Sequence, residues 1–218
     1  MSENAAHPGG ERPPGQPCDE EASLGLRERK KRATRAALQF TALQLVADRG
    51  LDHVTVEDIT EEVGVSPRTF FNYFATKEEA LIGTDPDLLP ALTEALRARP
   101  AGESPLTALR EVLLADATRI ADAREIWRLR MALGHQHPEL FHTAATATAR
   151  IDSALAHVIA ERTGTDPDHD PLPRLVTGAA SATRRTALHL WARGNFREPY
   201  PEVLARCFDE FTTLMSTR

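Results

Sequence analysis

Residues 55–79 read TVEDITEEVGVSPRTFFNYFATKEE, and the fold turns on this stretch. Thr55 stands where a helix N-cap is wanted, Asp58 follows three residues on, and Val56, Ile59 and Val63 recur on one helical face. Gly64 suits the left-handed conformation that ends such a helix, and Val65 supplies an apolar plug for the turn. Ser66-Pro67 is then an N-cap with proline at the first helical position. The chain leaves one helix and enters the next within about three residues, which is the connection of a helix-turn-helix. In the second helix Phe70 and Phe74 share one face, leaving Arg68, Thr69, Asn72 and Tyr73 on the other. Side chains of these types bond base edges or phosphates in the major groove, arginine pairing with guanine and asparagine with adenine. Thr76-Lys77-Glu78-Glu79 repeats the capping pattern, so a further helix is predicted with Lys77 in its first turn, where ammonium and amide donors hold a phosphate.

Four segments in this region, TVEDI, the GVS turn, RTFFNYF and the following KEEAL, give residues 26–81 a specific likeness. They resemble the DNA-binding domain of the tetracycline-repressor-like (TetR) family of bacterial transcriptional regulators. The resemblance implies an all-helical homodimer whose larger C-terminal domain binds a small molecule that lowers DNA affinity. Two residues depart from the family pattern: Phe71 stands where many members carry a phosphate-contacting tyrosine, and Thr60 where a small alanine often lets two helices approach.

A net charge of −6 is unexpected for a DNA-binding chain until it is divided along the sequence. Residues 1–23 carry one arginine and five acids, and residues 24–80 carry nine charges of each sign. Within the second block Arg27, Arg29, Lys30, Lys31, Arg32 and Arg35 face only Glu28, a net +5 over nine residues. Such a patch follows a phosphate backbone. Its plainer reading is a solvated helix face.

Residues 1–23 are rich in Pro, Gly and Glu, with too little apolar surface to offset the entropy of ordering, and are expected to form a disordered acidic tail. One long helix is predicted from Leu26 to Arg49, with Leu38, Ala42, Leu45 and Val46 on a single stripe and Gly50 as its stop. Beyond Ile82 helical signals continue to the C-terminus and no strand pattern appears. Asp85-Pro86 and Ser104-Pro105 open helices, and a further one is expected to stop at Gly134. Pro138-Glu139 leads into an Ala-rich helix that closes at Gly164, and the last two helices are read as residues 173–193 and 201–216. The expected architecture is all-α: a tail over 1–23, a three-helix helix-turn-helix DNA-binding domain over 24–82, and a larger helical ligand-binding and dimerisation domain over 83–218.

With only Cys18 and Cys207, neither a disulfide framework nor a cysteine zinc site is credible. No apolar run reaches the roughly 20 residues that span a bilayer, so a cytoplasmic protein with no membrane partner is expected. His135, His137 and His142 with Glu139 are the only metal-like cluster, but they straddle a predicted helix break rather than converge; no metal, cofactor or catalytic residue is assigned.

The final predicted helix carries Leu204, Cys207, Phe208, Phe211, Leu214 and Met215 at helical spacing, a wide apolar stripe that serves equally as internal core or as contact with a second copy. The family resemblance favours the dimer, because its members pair through their last two helices. Trp127, Met131, Phe141 and Trp191 are candidates to enclose an apolar cavity, and Arg124 and Arg128 beside Trp127 suit a small hydrophobic or acyl-type acid ligand. DNA contact is assigned to Arg27, Lys30, Lys31, Thr55, Ser66, Arg68, Thr69, Asn72, Tyr73 and Lys77. The resulting expectation is a homodimeric repressor that binds a near-palindromic double-stranded operator and is released by a ligand. The alternatives are a ligand-independent DNA-binding protein and a helical enzyme.

Overall fold

The computed structural model describes residues 18–83, 85–137 and 140–216, without the side chains of 18–24, 135 and 141–143. Ten α-helices follow one another among these residues, and no strand occurs among them. They are α1 (Cys18–Arg49), α2 (Val56–Val63), α3 (Pro67–Phe71), α4 (Lys77–Ile82), α5 (Leu88–Arg97), α6 (Pro105–Asp122), α7 (Arg124–Gln136), α8 (Leu140–Thr163), α9 (Pro171–Arg193) and α10 (Tyr200–Ser216). Among the described residues no helix is long and apolar enough to cross a membrane.

Helix α1 starts at Cys18, inside the segment expected to be a tail, and eight residues before the expected start at Leu26. The rest of the predicted tail, residues 1–17, lies outside the described residues. Contacts divide the chain into two compact units at Ala37 and Leu38 rather than at 82 and 83. The first unit contains the N-terminal half of α1, where the Lys31 and Arg32 side chains each lie 3.8 Å from Glu28, Arg27, Arg29 and Lys30 face solvent, and Arg35 is half-buried.

The second unit, Leu38–Arg218, holds two hydrophobic cores. The first gathers Leu38, Ala42, Leu45 and Val46 of α1, Ile59 of α2, Phe70 and Phe74 around α3, and Ala80 and Leu81 of α4. Leu133 of α7 and Leu140 of α8 enter the same core, so no contact boundary falls after α4. The second core packs α5, α6, α8, α9 and α10 around Leu96, Leu109, Ile159, Trp191, Tyr200 and Phe208. Helix α7 serves both. Ile126, Leu129 and Leu133, one stripe by spacing, pack on the first core, while Trp127 and Met131, four apart, pack on the second.

Helix α7 runs through Gly134, where a stop was predicted, to Gln136. Gly134 is buried, so the small residue fits a packed helical position and is not forced to end the helix. Helix α8 does end at a left-handed glycine, Gly164, with φ +67°. Between α9 and α10 the chain takes Asn195 and Phe196 through positive φ, at 54° and 57°. Phe196 is held there edge-on against Trp191, ring centroids 4.8 Å apart, and its amide donates to the Trp191 carbonyl.

Candidate functional site

Three side-chain caps build the helix-turn-helix. The Thr55 hydroxyl accepts from the Asp58 amide, and the Asp58 carboxylate accepts in return from the Thr55 amide at 2.7 Å, a complete capping box at the start of α2. Those bonds, with Arg49 nearby, hold the Asp58 carboxyl below the usual carboxylate range. Gly64 ends α2 at φ +74°, and the Val65 amide reaches back to the Thr60 carbonyl, satisfying a helix-end acceptor. The Ser66 hydroxyl then accepts from the Thr69 amide, with Pro67 at the first position of α3, and Thr76 caps α4 through the Glu79 amide. Thr60 is buried, and its hydroxyl is satisfied inside its own helix by the Glu57 carbonyl at 3.1 Å.

This scaffold presents Arg68, Phe71 and Asn72 to solvent on α3 while Phe70 and Phe74 are sealed beneath, their rings 5.5 Å apart. Thr69 is half-buried, with its hydroxyl 2.9 Å from that of Ser66. Tyr73 is half-buried as well and packs against the core, so only part of its ring shares the exposed face assigned to it. Phe71, 56 % exposed, is the large apolar group of this face, and its ring stands edge-on to Phe70. Lys77 differs from expectation. Its ammonium donates to the carbonyls of Leu51 and Val54 at 2.7 and 3.0 Å, so two of its three protons tie α4 to the end of the α1–α2 connection instead of reaching outward. Arg27, Lys30 and Lys31 are exposed in the first compact unit.

Of the cavity residues chosen from sequence, Trp127, Met131 and Trp191 all belong to the second core. Trp191 is core: it packs on Phe196 and Tyr200, and its indole donates to the Glu198 carbonyl at 2.8 Å. Trp127 and Met131 are half-buried against the second core, and the Phe141 side chain lies outside the described residues. Arg124 is exposed, and Arg128 forms a surface pair with Glu125. Two cavities lie elsewhere. A groove of about 450 Å³ between α5 and α8 is lined by Leu89, Thr93, Arg97, Arg150, Ser153 and His157 among others. An internal void of about 10 Å³ touches Leu92 and Leu109, with Asp152, Thr177, Ser181 and Arg184 as its polar wall. No sequence signal marked these residues, because the groove takes its side chains from two helices and the void from four, all far apart in the chain.

The stripe on α10 divides in two. Leu204 and Phe208 are buried in the second core, Cys207 and Phe211 are half-buried, and Leu214 and Met215 stand 72 % and 67 % exposed. On α9, Leu172, Leu175 and Leu190 are exposed as well. Of the histidine cluster, the side chains of His135 and His142 and all of Glu139 lie outside the described residues. Among the described residues no group of three or more possible ligands is placed to hold a metal ion.

A capped helix-turn-helix with an exposed polar face, carried on a larger helical body, defines a helix-turn-helix DNA-binding regulator. Residues 41–82 match the profile described as bacterial regulatory proteins of the tetR family, and residues 103–216 match that of the MftR C-terminal domain. The chain is 36 % identical over 173 residues to the HTH-type transcriptional regulator TcmR of Streptomyces glaucescens, covering 77 % of this chain and 76 % of that one. It belongs to the TetR family of bacterial transcriptional regulators. Among solved structures, native NalD of Pseudomonas aeruginosa superposes with a TM-score of 0.56 at 18 % identity, over 84 % of this chain and 96 % of that one. The fatty acid degradation regulator FadR of Bacillus halodurans does so with a TM-score of 0.55 at 15 % identity, over 81 % and 93 %. At these identities both likenesses concern the fold.

Proposed function

We propose that the protein is a cytoplasmic, homodimeric repressor that reads a near-palindromic operator through α3 and is released by a small hydrophobic or acyl-type ligand. The observation that carries the DNA reading is the exposed trio Arg68, Phe71 and Asn72 on a helix whose start, turn and underside are all fixed. Arginine supplies two donors for guanine, asparagine a donor and an acceptor for adenine, and a phenyl ring apolar contact for a thymine methyl group. Thr55 and Ser66, at helix starts, place amide donors toward phosphates, and the basic residues Arg27, Lys30 and Lys31 add sequence-independent attraction. Selection of bound duplexes from random DNA tests this reading: an enriched sequence with two half-sites about one helical turn apart is expected, and no enrichment refutes it.

The dimer rests on the exposed leucines of α9 and the exposed end of α10, because apolar groups gathered on the last two helices favour contact with a second copy. Leu175→Glu with Leu214→Glu should give a folded monomer by light scattering, with weak operator binding. The ligand seat is better supported at the seam of α5 and α8 than around Trp127 and Trp191. The groove is lined by α5 and α8, and the opposite faces of these helices meet the void together with α6 and α9, so the α5–α8 contact divides groove from void. The void is the size of one water, whereas ligand pockets run to about 300–1,000 Å³, so occupation requires those helices to part. Release then follows from a ligand binding one arrangement better than the other, with coupling of about 1–3 kcal/mol expected. Calorimetry with and without operator decides the matter, since equal ligand affinity in both excludes ligand release.

A further inference from the structure

Arg130 occupies an uncommon place. It projects from α7, and its Nε donates to the Leu81 carbonyl at 2.9 Å, one of the acceptors left open at the C-terminal end of α4. The guanidinium lies so close to Gly83, which ends α4 at φ +74°, that a Cβ on residue 83 would fall 1.6 Å from Nη2. Trp127, one turn earlier on α7, holds the other side, with the guanidinium carbon 5.5 Å from the ring centroid. Nη2 itself is buried with no acceptor among the described residues. The neighbouring Arg119 offers no counter-charge, being a cation paired with Asp116 at 2.8 Å and near Asp85 at 3.8 Å. Burial, aided by Arg119, pushes the Arg130 pKa down to about 10.

A guanidinium whose buried Nη2 meets no acceptor among the described residues is a poor device for stability, since an apolar chain of similar length fills the same space without desolvating a charge. What the guanidinium provides instead is direction: it fixes the end of α4 to α7, the helix whose two faces pack on the two cores. We infer that Arg130 is a positioning residue for DNA binding, a latch that makes the helix-turn-helix follow α7. The left-handed turn at Gly83 calls for glycine, and the side chain it lacks leaves the space that the guanidinium fills. The inference rests on the operator-binding reading above and adds the contact through which the C-terminal helices act on it. A shift of α7 driven from the second core pulls on the Leu81 carbonyl and turns α4, and with it α3, against the DNA.

The test compares wild type, Arg130→Met and Arg130→Lys in three measurements: thermal melting, affinity for the duplex that the wild type selects from random DNA, and amide hydrogen exchange. Arg130→Met is expected to melt at or above the wild-type temperature yet bind the duplex at least ten-fold more weakly. Amides of Lys77–Ile82 should exchange at least ten-fold faster while those of Val56–Val63 are unchanged. Arg130→Lys, which keeps a donor for the Leu81 carbonyl, should recover most of both losses. Unchanged affinity, unchanged exchange in α4, or a loss of affinity that merely tracks a lowered melting temperature overturns the inference. If the wild type enriches no duplex, the DNA-binding reading fails instead. The exchange comparison needs no DNA and still decides whether Arg130 holds α4.

Discussion

Helices α2, α3 and α4 each begin with a threonine or serine whose hydroxyl accepts from an amide three residues later, whereas α9 begins at Asp170 with no side-chain cap. The short helices are closed by their own neighbours in sequence. Of the long ones α6 repeats that cap at Ser104, but they are also held by side chains distant in the chain, such as Arg162, which donates to the carbonyls of Leu96 and Arg99 at 3.2 and 2.8 Å. The contrast separates two kinds of stability. Helices of five to eight residues are below the length that is stable alone in water, so local caps and a shared core must both act.

The largest expected effect would break that pairing of caps and core. Phe70→Ala and Phe208→Ala remove fully buried rings from the first and second core respectively, and each should cost about 3–5 kcal/mol in denaturant unfolding. Because Leu133 and Leu140 join α7 and α8 to the first core, Phe70→Ala should lower one cooperative transition rather than melt the helix-turn-helix separately. A separate early transition would show that the two cores unfold independently.

At the reading face, Arg68→Ala and Asn72→Ala should cost about 1–3 kcal/mol each in operator affinity and relax base preference at their own positions, with little change in melting. Lys77→Ala should behave differently, lowering thermal stability, because its ammonium is committed to the Leu51 and Val54 carbonyls. Equal affinity loss on every sequence with no loss of stability would return Lys77 to a phosphate contact.

Tyr200 sharpens the comparison from the other side. Its hydroxyl is fully buried with no hydrogen-bond partner among the described residues, and desolvation raises its pKa. Tyr200→Phe should therefore be neutral or stabilising, by up to about 1–3 kcal/mol, in denaturant unfolding. A loss of stability would reveal a partner for the hydroxyl.

The caps come last. Ser66→Ala and Thr55→Ala should each cost about 1 kcal/mol. Asp58 adds a pH signature: its carboxyl is lowered in the fold by the bonds from Thr55, so its contribution is complete above the ordinary carboxylate range and is lost as pH falls through the folded value. The stability gap between wild type and Asp58→Asn should thus shrink from pH 7 toward pH 3 in denaturant titrations. A gap that stays constant would mean that the carboxylate charge plays no part in the cap.

The caps, the glycine at residue 64 and the Phe70–Phe74 pair were legible in the sequence because their partners lie three or four residues away, where backbone geometry leaves little choice. The helical boundaries after Gly134 and before Leu26 were harder to read; at the first, burial of a glycine overrides a rule of composition. The α10 stripe had the right periodicity for both of its jobs. Spacing alone could not say that Leu204 and Phe208 face inward while Leu214 and Met215 extend into solvent. A pocket is not legible in the same way: Trp127 and Trp191 are conspicuous as residues, but a cavity belongs to the gaps between helices.

From sequence alone came the class of protein, the turn and the exposed polar face that follows it, because residues adjacent in the chain specify the turn and that face through contacts of fixed short range. Tertiary structure decided the employment of Lys77, the two-sided role of α7, and the seating of Arg130 against Gly83 and the Leu81 carbonyl. Those contacts join residues 23 to 49 positions apart, and no periodicity in a chain reports which distant carbonyl a long cationic side chain will reach.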